Sequence, residues 1–300
     1  MKKVYWDIIA GLSCEYRIRE PLYRHTSFKI GGPADLMVFP RNQDELAAIL
    51  SQVTASGLAP LVLGNGTNLL AGDKGFRGVV IKLTKGFKAI AHSGAMIEVG
   101  AGHSLSRLVD FCLASGLSGM EWAVGIPGSV GGALVMNAGA YGGQMSDVAT
   151  IVRGLIPTGN KRLLKAKSIN FSYRHAEYPE GFVITGCTLK MKRGRPQLIK
   201  KAMDELMAKR AFNQPLSQPS AGCIFKNPAN DSARRLIGLA GLKGKRVGGA
   251  QVSVKHANFI VNRGGATARD VMKLARQIQI AVKRELGVAL APEVRLIGER

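Results

Sequence analysis

The feature that most restricts how this chain can fold is the run "GIPGSVGGALVMNAGAYGG" at residues 125–143, with glycines at 125, 128, 131, 132, 139, 142 and 143 among apolar residues. Each glycine inside a helix or strand costs about 0.5–1 kcal/mol relative to alanine, so the run is a poor ordinary core element. It reads either as a glycine-rich structural turn or as a bed on which a flat, apolar ligand lies close to backbone. It is neither a Walker loop nor GxGxxG after a strand, which disfavours a Rossmann dinucleotide fold. A second loop, "LGNGTNLL" at 63–70, sets Gly64 and Gly66 around Asn65, with Thr67, Asn68 and Leu69 following. Small residues let successive backbone N–H groups converge on an anion such as a pyrophosphate. An ordinary strand-to-turn connection has the same pattern.

The flanking segments alternate between helical and extended periodicity. "NQDELAAILSQVTASG" reads as a helix ending at Gly57, followed by the strands "APLVLG" and "FRGVVIKL". Farther on, "MIEVGAG" reads as a strand, "SLSRLVDFCLASGLSG" as a helix, and 148–156 and "GFVITGCTLKMKR" as strands. Residues 195–211 read as a helix with its apolar positions at Leu198, Ala202, Leu206 and Ala208. "HANFIVN" is a strand, and "ATARDVMKLARQIQIAVKRELG" a long amphipathic helix closed by Gly287. A chain of 300 residues with 46% hydrophobic content supports two or three compact α/β units.

The formal charge of +22 is concentrated toward the end: residues 191–300 hold 22 Lys and Arg against 7 Asp and Glu. Such a field attracts polyanions, whether nucleic acid or phosphorylated small molecules, though part of it is simply solvated surface. Aromatic residues are only 6%, so stacking platforms are scarce, and no nucleic-acid recognition module is recognisable. Cys14, Cys112, Cys187 and Cys223 are widely spaced without a CxxC pair, which argues against a zinc site or a disulfide framework and for reduced thiols in the cytoplasm. The start, "MKKVYWDIIAGLSC", resembles a lipoprotein leader except that Asp7 interrupts its apolar run and no small-residue cleavage pattern precedes Cys14. No apolar segment reaches the roughly 20 residues that a bilayer span requires.

Cys223 stands in "PSAGCIFKNP" (219–228), where taken alone it could be packing, a nucleophile, a metal ligand or a proton donor. Together with "HTSFKIGGPAD" (25–35), the two glycine loops, "FSYR" (171–174) and "PEVRLIG" (292–298), this segment resembles the UDP-N-acetylenolpyruvoylglucosamine reductases, the MurB enzymes of peptidoglycan synthesis. The motifs span nearly the whole chain in matching order.

That resemblance implies an α+β protein with a non-covalent FAD in a fold of the vanillyl-alcohol-oxidase type. Two FAD-binding subdomains would cover 1–83, with a C-terminal return at 291–300, and 84–195; a smaller α/β substrate-binding domain would cover 196–290. Gly64, Asn65, Gly66, Thr67, Asn68 and Leu69 would line the pyrophosphate. Gly125, Ile126, Pro127, Gly128, Ser129, Gly131, Gly132, Asn137, Ala138 and Gly139 would run along the flavin and its linker. NADPH as co-substrate would reduce the flavin, and the substrate, UDP-N-acetylglucosamine enolpyruvate, would then be reduced to its lactyl ether. The resemblance assigns Arg174 to the developing enolate-like charge, Glu293 to assistance near the same carboxylate, and Cys223 to the final proton. A guanidinium can grip a carboxylate bidentately, a carboxyl beside an anion should have a raised pKa, and a thiol donates only while neutral. Tyr173, Arg210, Lys226 and Asn227 are candidate substrate contacts. The 49-residue interval from Arg174 to Cys223 resembles the compact form of the family, without an extra tyrosine-bearing loop. No metal, specific nucleic acid or membrane span is implied, and a monomer is expected. Two alternatives stay open: another FAD oxidoreductase of the same fold, and a basic nucleic-acid-binding protein.

Overall fold

The computed structural model describes residues 3–299; Met1, Lys2 and Arg300, and with them the first two residues of the leader-like segment, lie outside the described residues. Its helices are α1 (Lys3–Ala10), α2 (Gln43–Ala55), α3 (Leu105–Ala114), α4 (Val130–Val135), α5 (Pro196–Asn213), α6 (Ala233–Leu239) and α7 (Ala268–Leu286). Helix α7 shows how the sequence specifies them. Val271, Leu274, Ile278 and Val282 form one buried line, each side chain contributing about 1.5–3 kcal/mol on leaving water. Thr267 and Asp270 form a reciprocal capping box, and the Asp73 carboxylate accepts the N–H groups of Ala268 and Arg269 at 2.7 and 3.0 Å. Gly287 ends the helix at φ 71°, a left-handed conformation that costs a glycine no Cβ clash.

The chain divides into two compact units, one comprising residues up to Ile18, Leu36–Asn65 and Gly78–Lys209, the other Arg19–Asp35, Gly66–Arg77 and the residues from Arg210 onward. A four-stranded sheet runs in the order Glu15–Pro21, Pro33–Phe39, Phe76–Lys82, Leu61–Leu63. A five-stranded antiparallel sheet runs Lys161–Lys165, Ala149–Leu155, Val183–Lys190, Met96–Gly100, Ile90–Ser93. One apolar core joins them, with Leu46, Ile49 and Leu50 of α2, Leu105 and Leu108 of α3, and Leu134 of α4 among its members.

The second unit is built on an antiparallel sheet in the order Ser220–Cys223, Phe259–Asn262, Ala250–Val252, Arg246–Val247. Its separate core includes Phe28, Phe225, Ile237, Val252, Ile260 and the buried line of α7. Leu69–Ala71 pairs in parallel with Arg295–Ile297, so the end of the chain is fixed beside the second half of the "GNGTNLL" loop.

Three local readings are corrected. The segment Gly64–Leu70 is not all turn, because Leu69 begins a strand whose partner lies more than two hundred residues away. The glycine run holds a short helix, α4, at its centre. Helix α5 buries Ile199, Met203 and Arg210 rather than the line through Leu198, which is exposed.

Candidate active site

The site residues of the first unit gather on the glycine run. Ser129 caps α4, its Oγ accepting the Gly132 N–H at 3.3 Å, while Val130 and Gly131 donate to the carbonyls of His103 and Ala101 at 3.0 and 2.9 Å. With these amides engaged, the stretch Val130–Gly132 offers no N–H group to an anion. It can instead serve as bare backbone: Gly132 is exposed, and a Cβ built there would meet only Ser129 Oγ within 4 Å.

Asn137, 2% exposed, is the hub of this region. Its Nδ2 donates to Gln144 Oε1 at 3.2 Å and to the Ser172 carbonyl at 3.1 Å, and its Oδ1 accepts the Ser146 N–H at 3.0 Å. The bond to Ser172 reaches the hairpin formed by Phe171–Ser172 and His175–Ala176, whose two-residue turn is Tyr173–Arg174. Arg174 sits at φ 58°, a conformation that costs a non-glycine residue roughly 1–2 kcal/mol. Its Nη1 donates to the Gly139 carbonyl at 2.9 Å, and its guanidinium lies over the Tyr173 ring, 5.3 Å from the centroid. Tyr173 itself is 50% exposed. The structure therefore brings together Asn137, Gly139, Tyr173 and Arg174.

The "GNGTN" loop carries donors of a different kind. Among the described residues the N–H groups of Asn65, Gly66 and Thr67 make no backbone hydrogen bond. Gly66, at φ 62°, has its Cβ position 2.3 Å from the His25 carbonyl oxygen, so any side chain there would collide with backbone. Unengaged amides on a loop bare of side chains at Gly64 and Gly66 fit a pyrophosphate, and exposed glycine backbone fits a flat ring system; on both counts the residues present suit FAD.

In the second unit Cys223, Glu293 and Asn68 lie on neighbouring backbone segments. The Glu293 N–H donates to the Ile224 carbonyl at 2.8 Å, and Lys226 N–H to Ala291 at 2.8 Å, so 291–293 runs beside 224–226. Asn68 Nδ2 donates to the Glu293 carbonyl at 3.3 Å. The register shift between Ser220 and Cys223, with Gly222 at φ 76°, is a bulge of the kind that re-aims the side chain after it. Cys14, Cys112 and Cys187 are buried, and burial pushes the Cys112 and Cys187 thiols up to about 12; Cys223 is half-buried. Asn227 is exposed, and its Oδ1 accepts the Ala233 N–H at 3.0 Å. Arg210 is 6% exposed and donates to Gln214 Oε1 at 3.1 Å.

Two groups escape sequence reasoning. Lys82 Nζ donates to the Gly64 carbonyl at 3.0 Å. His256 has a buried Nδ1 without a hydrogen-bond partner, and its pKa is pushed down to about 4 by burial, then by Arg234 and, more weakly, Lys243. Arg234, Lys243 and His256 lie close enough to act on one another electrostatically, but they come from three separate segments and no local pattern links them.

A family model for an FAD binding domain matches residues 34–160, and one for the C-terminal domain of UDP-N-acetylenolpyruvoylglucosamine reductase matches 214–297. The reductase of that name from Caldanaerobacter subterraneus subsp. tengcongensis is 45% identical over 284 residues, 94% of each chain. The chain belongs to the UDP-N-acetylenolpyruvoylglucosamine reductase family. Another member, from Geobacter metallireducens, is 42% identical over 302 residues, covering 99% of each chain. The crystal structure of the reductase from Thermus caldophilus superposes with a TM-score of 0.83 at 38% identity, over 95% of this chain and 99% of that one. The expected α+β class with an FAD-binding domain therefore holds. Among the described residues no helix is long and apolar enough to cross a membrane.

Proposed function

We propose that this chain is an FAD-dependent, NADPH-consuming UDP-N-acetylmuramate dehydrogenase, reducing UDP-N-acetylglucosamine enolpyruvate to UDP-N-acetylmuramate for peptidoglycan synthesis. The observation that carries this reading is identity of 45% sustained over 94% of the chain to a reductase of that activity's name. FAD would be held by Gly64–Leu69 at its pyrophosphate and by Gly125–Gly132 with Asn137–Gly139 along its ring and linker. When bound, it supplies two-electron transfer from NADPH to the vinyl group.

The remaining chemistry belongs to the protein. Arg174 binds the substrate carboxylate, where charge gathers as the double bond is reduced, and its fixed fork favours that charged form. Anchoring at Gly139 and the strained turn keep the guanidinium from wandering. Glu293 assists at the same carboxylate, either as a protonated donor or by orienting a partner. Cys223 gives its thiol proton to the carbon next to the carboxylate, and the thiolate regains a proton from solvent. Lys226, Tyr173 and Arg210 support the sugar nucleotide, with the Arg234, Lys243 and His256 cluster meeting its diphosphate.

The division into two FAD-binding subdomains, 1–83 and 84–195, and a substrate domain, 196–290, belongs to this reading, as do a monomeric state and a cytoplasmic location. The test is direct. Purified protein should show a flavin spectrum and oxidise NADPH beyond the one equivalent that reduces its flavin only when UDP-N-acetylglucosamine enolpyruvate is added, with the lactyl ether as product. A colourless protein, or NADPH consumption indifferent to that substrate, would refute the proposal.

A further inference from the structure

Lys82 closes the strand Phe76–Lys82 directly after Val79, Val80 and Ile81, all fully buried, and is itself half-buried. It lies in register with Leu63 of the neighbouring parallel strand, the residue that leads into the "GNGTN" loop. Its ammonium has three donors, and one goes to the Gly64 carbonyl at 3.0 Å. No carboxylate among the described residues shares its environment, and burial alone lowers its pKa to about 8. A half-buried cation without a counter-charge is costly in the empty protein, and the cost falls when an anion binds beside it.

The bond to Gly64 also has a geometric consequence. In a trans peptide the C=O of one residue and the N–H of the next point in opposite directions within one plane. Holding the Gly64 oxygen at Lys82 therefore fixes the direction of the Asn65 N–H, one of the amides that make no backbone bond. After a glycine, which lacks a Cβ to restrict ψ, a peptide plane turns over more easily than elsewhere, and a turned plane would present a carbonyl oxygen to a phosphate instead of a donor.

We infer that Lys82 is a positioning residue for the flavin nucleotide: it latches the Gly64 peptide so that Asn65 N–H faces the pyrophosphate, and it adds a positive charge behind that loop. The inference rests on the FAD reading above. It assigns Lys82 no part in proton or electron transfer.

The experiment is titration of flavin-stripped protein with FAD, followed by quenching of flavin fluorescence, for wild type, Lys82→Met, Lys82→Gln and Lys82→Arg. Methionine keeps the unbranched stem without the charge, so Lys82→Met should raise the Kd for FAD at least tenfold. Flavin-stripped Lys82→Met should melt no lower than flavin-stripped wild type, since a desolvated charge has been removed. Lys82→Gln, a neutral donor, should fall between, and Lys82→Arg should lie within about threefold of wild type. FAD binding by Lys82→Met within twofold of wild type would overturn the inference, as would loss of affinity in Lys82→Arg equal to that in Lys82→Met. Wild-type protein that takes up no FAD would overturn the parent reading as well, which separates the two failures.

Discussion

Asn137→Ala is the perturbation whose cost can be worked most fully from the structure. The side chain is almost completely buried and makes three hydrogen bonds, to Gln144, Ser172 and Ser146. Truncation orphans the Ser146 N–H at about 1–3 kcal/mol and loses the bond to the carbonyl of Ser172, an exposed residue, at about 1 kcal/mol, while Gln144 keeps a second partner in Asp147. The residue also sits at φ 39°, which asparagine tolerates better than alanine by about 1 kcal/mol. The sum is a loss of about 3–5 kcal/mol, a large part of a domain's usual stability of roughly 5–15 kcal/mol. Because the Ser172 bond ties down the hairpin that carries Arg174, turnover should fall further than flavin content does. Urea denaturation monitored by circular dichroism gives the first quantity, and assay of the flavin-loaded fraction gives the second. Asn137→Asp preserves the acceptor for Ser146 and should lose about half as much. A loss below about 1 kcal/mol for the alanine variant would show that Asn137 is not the hub described.

Other outcomes follow from single features. Leu274→Ala, in the buried line of α7, should cost about 2–5 kcal/mol and lower the melting temperature without altering the flavin spectrum. Arg174→Lys should lower kcat about 10²–10³-fold while NADPH still reduces the flavin within twofold of the wild-type rate, because a lysine cannot reproduce the bidentate fork. His256 has a folded pKa of about 4 against an unfolded value near 6.5, so between these values the unfolded chain binds more protons and stability rises with pH. Stability is thus full above about pH 6.5 and is lost on acidification toward pH 4, by on the order of 2–3 kcal/mol; His256→Phe should flatten that limb in denaturation curves taken across the range.

Much of the fold was legible because periodicity and caps act locally. Helix α7 could be read from its apolar spacing and Gly287, and α2 from Asn42, whose Oδ1 accepts the Glu45 N–H at 2.9 Å. What stayed hidden depends on distant partners. Helix α4 forms despite two glycines because its first N–H groups find the carbonyls of His103 and Ala101, and the strand Leu69–Ala71 exists through Arg295–Ile297. In α5 the apolar residues Leu198 and Met207 lie outside while Arg210 lies inside; the helix is apolar on more than one side, so its spacing alone did not select the buried line. The site divides the same way. Family motifs marked Arg174 and Cys223, but the left-handed turn at Arg174 and the bulge before Cys223 are backbone facts that residue identity does not carry. Lys82 and His256 sit in ordinary strand and loop sequence, and only burial without a counter-charge distinguishes them.

The most direct test separates the two half-reactions in Cys223→Ala by stopped-flow absorbance. Flavin bleaching by NADPH should match wild type, because no proton from residue 223 is needed there, whereas recovery of colour on adding UDP-N-acetylglucosamine enolpyruvate should slow by at least a thousandfold, about 4 kcal/mol of barrier. Slowing of both phases by the same factor, or recovery at the wild-type rate, would contradict the role given to this thiol.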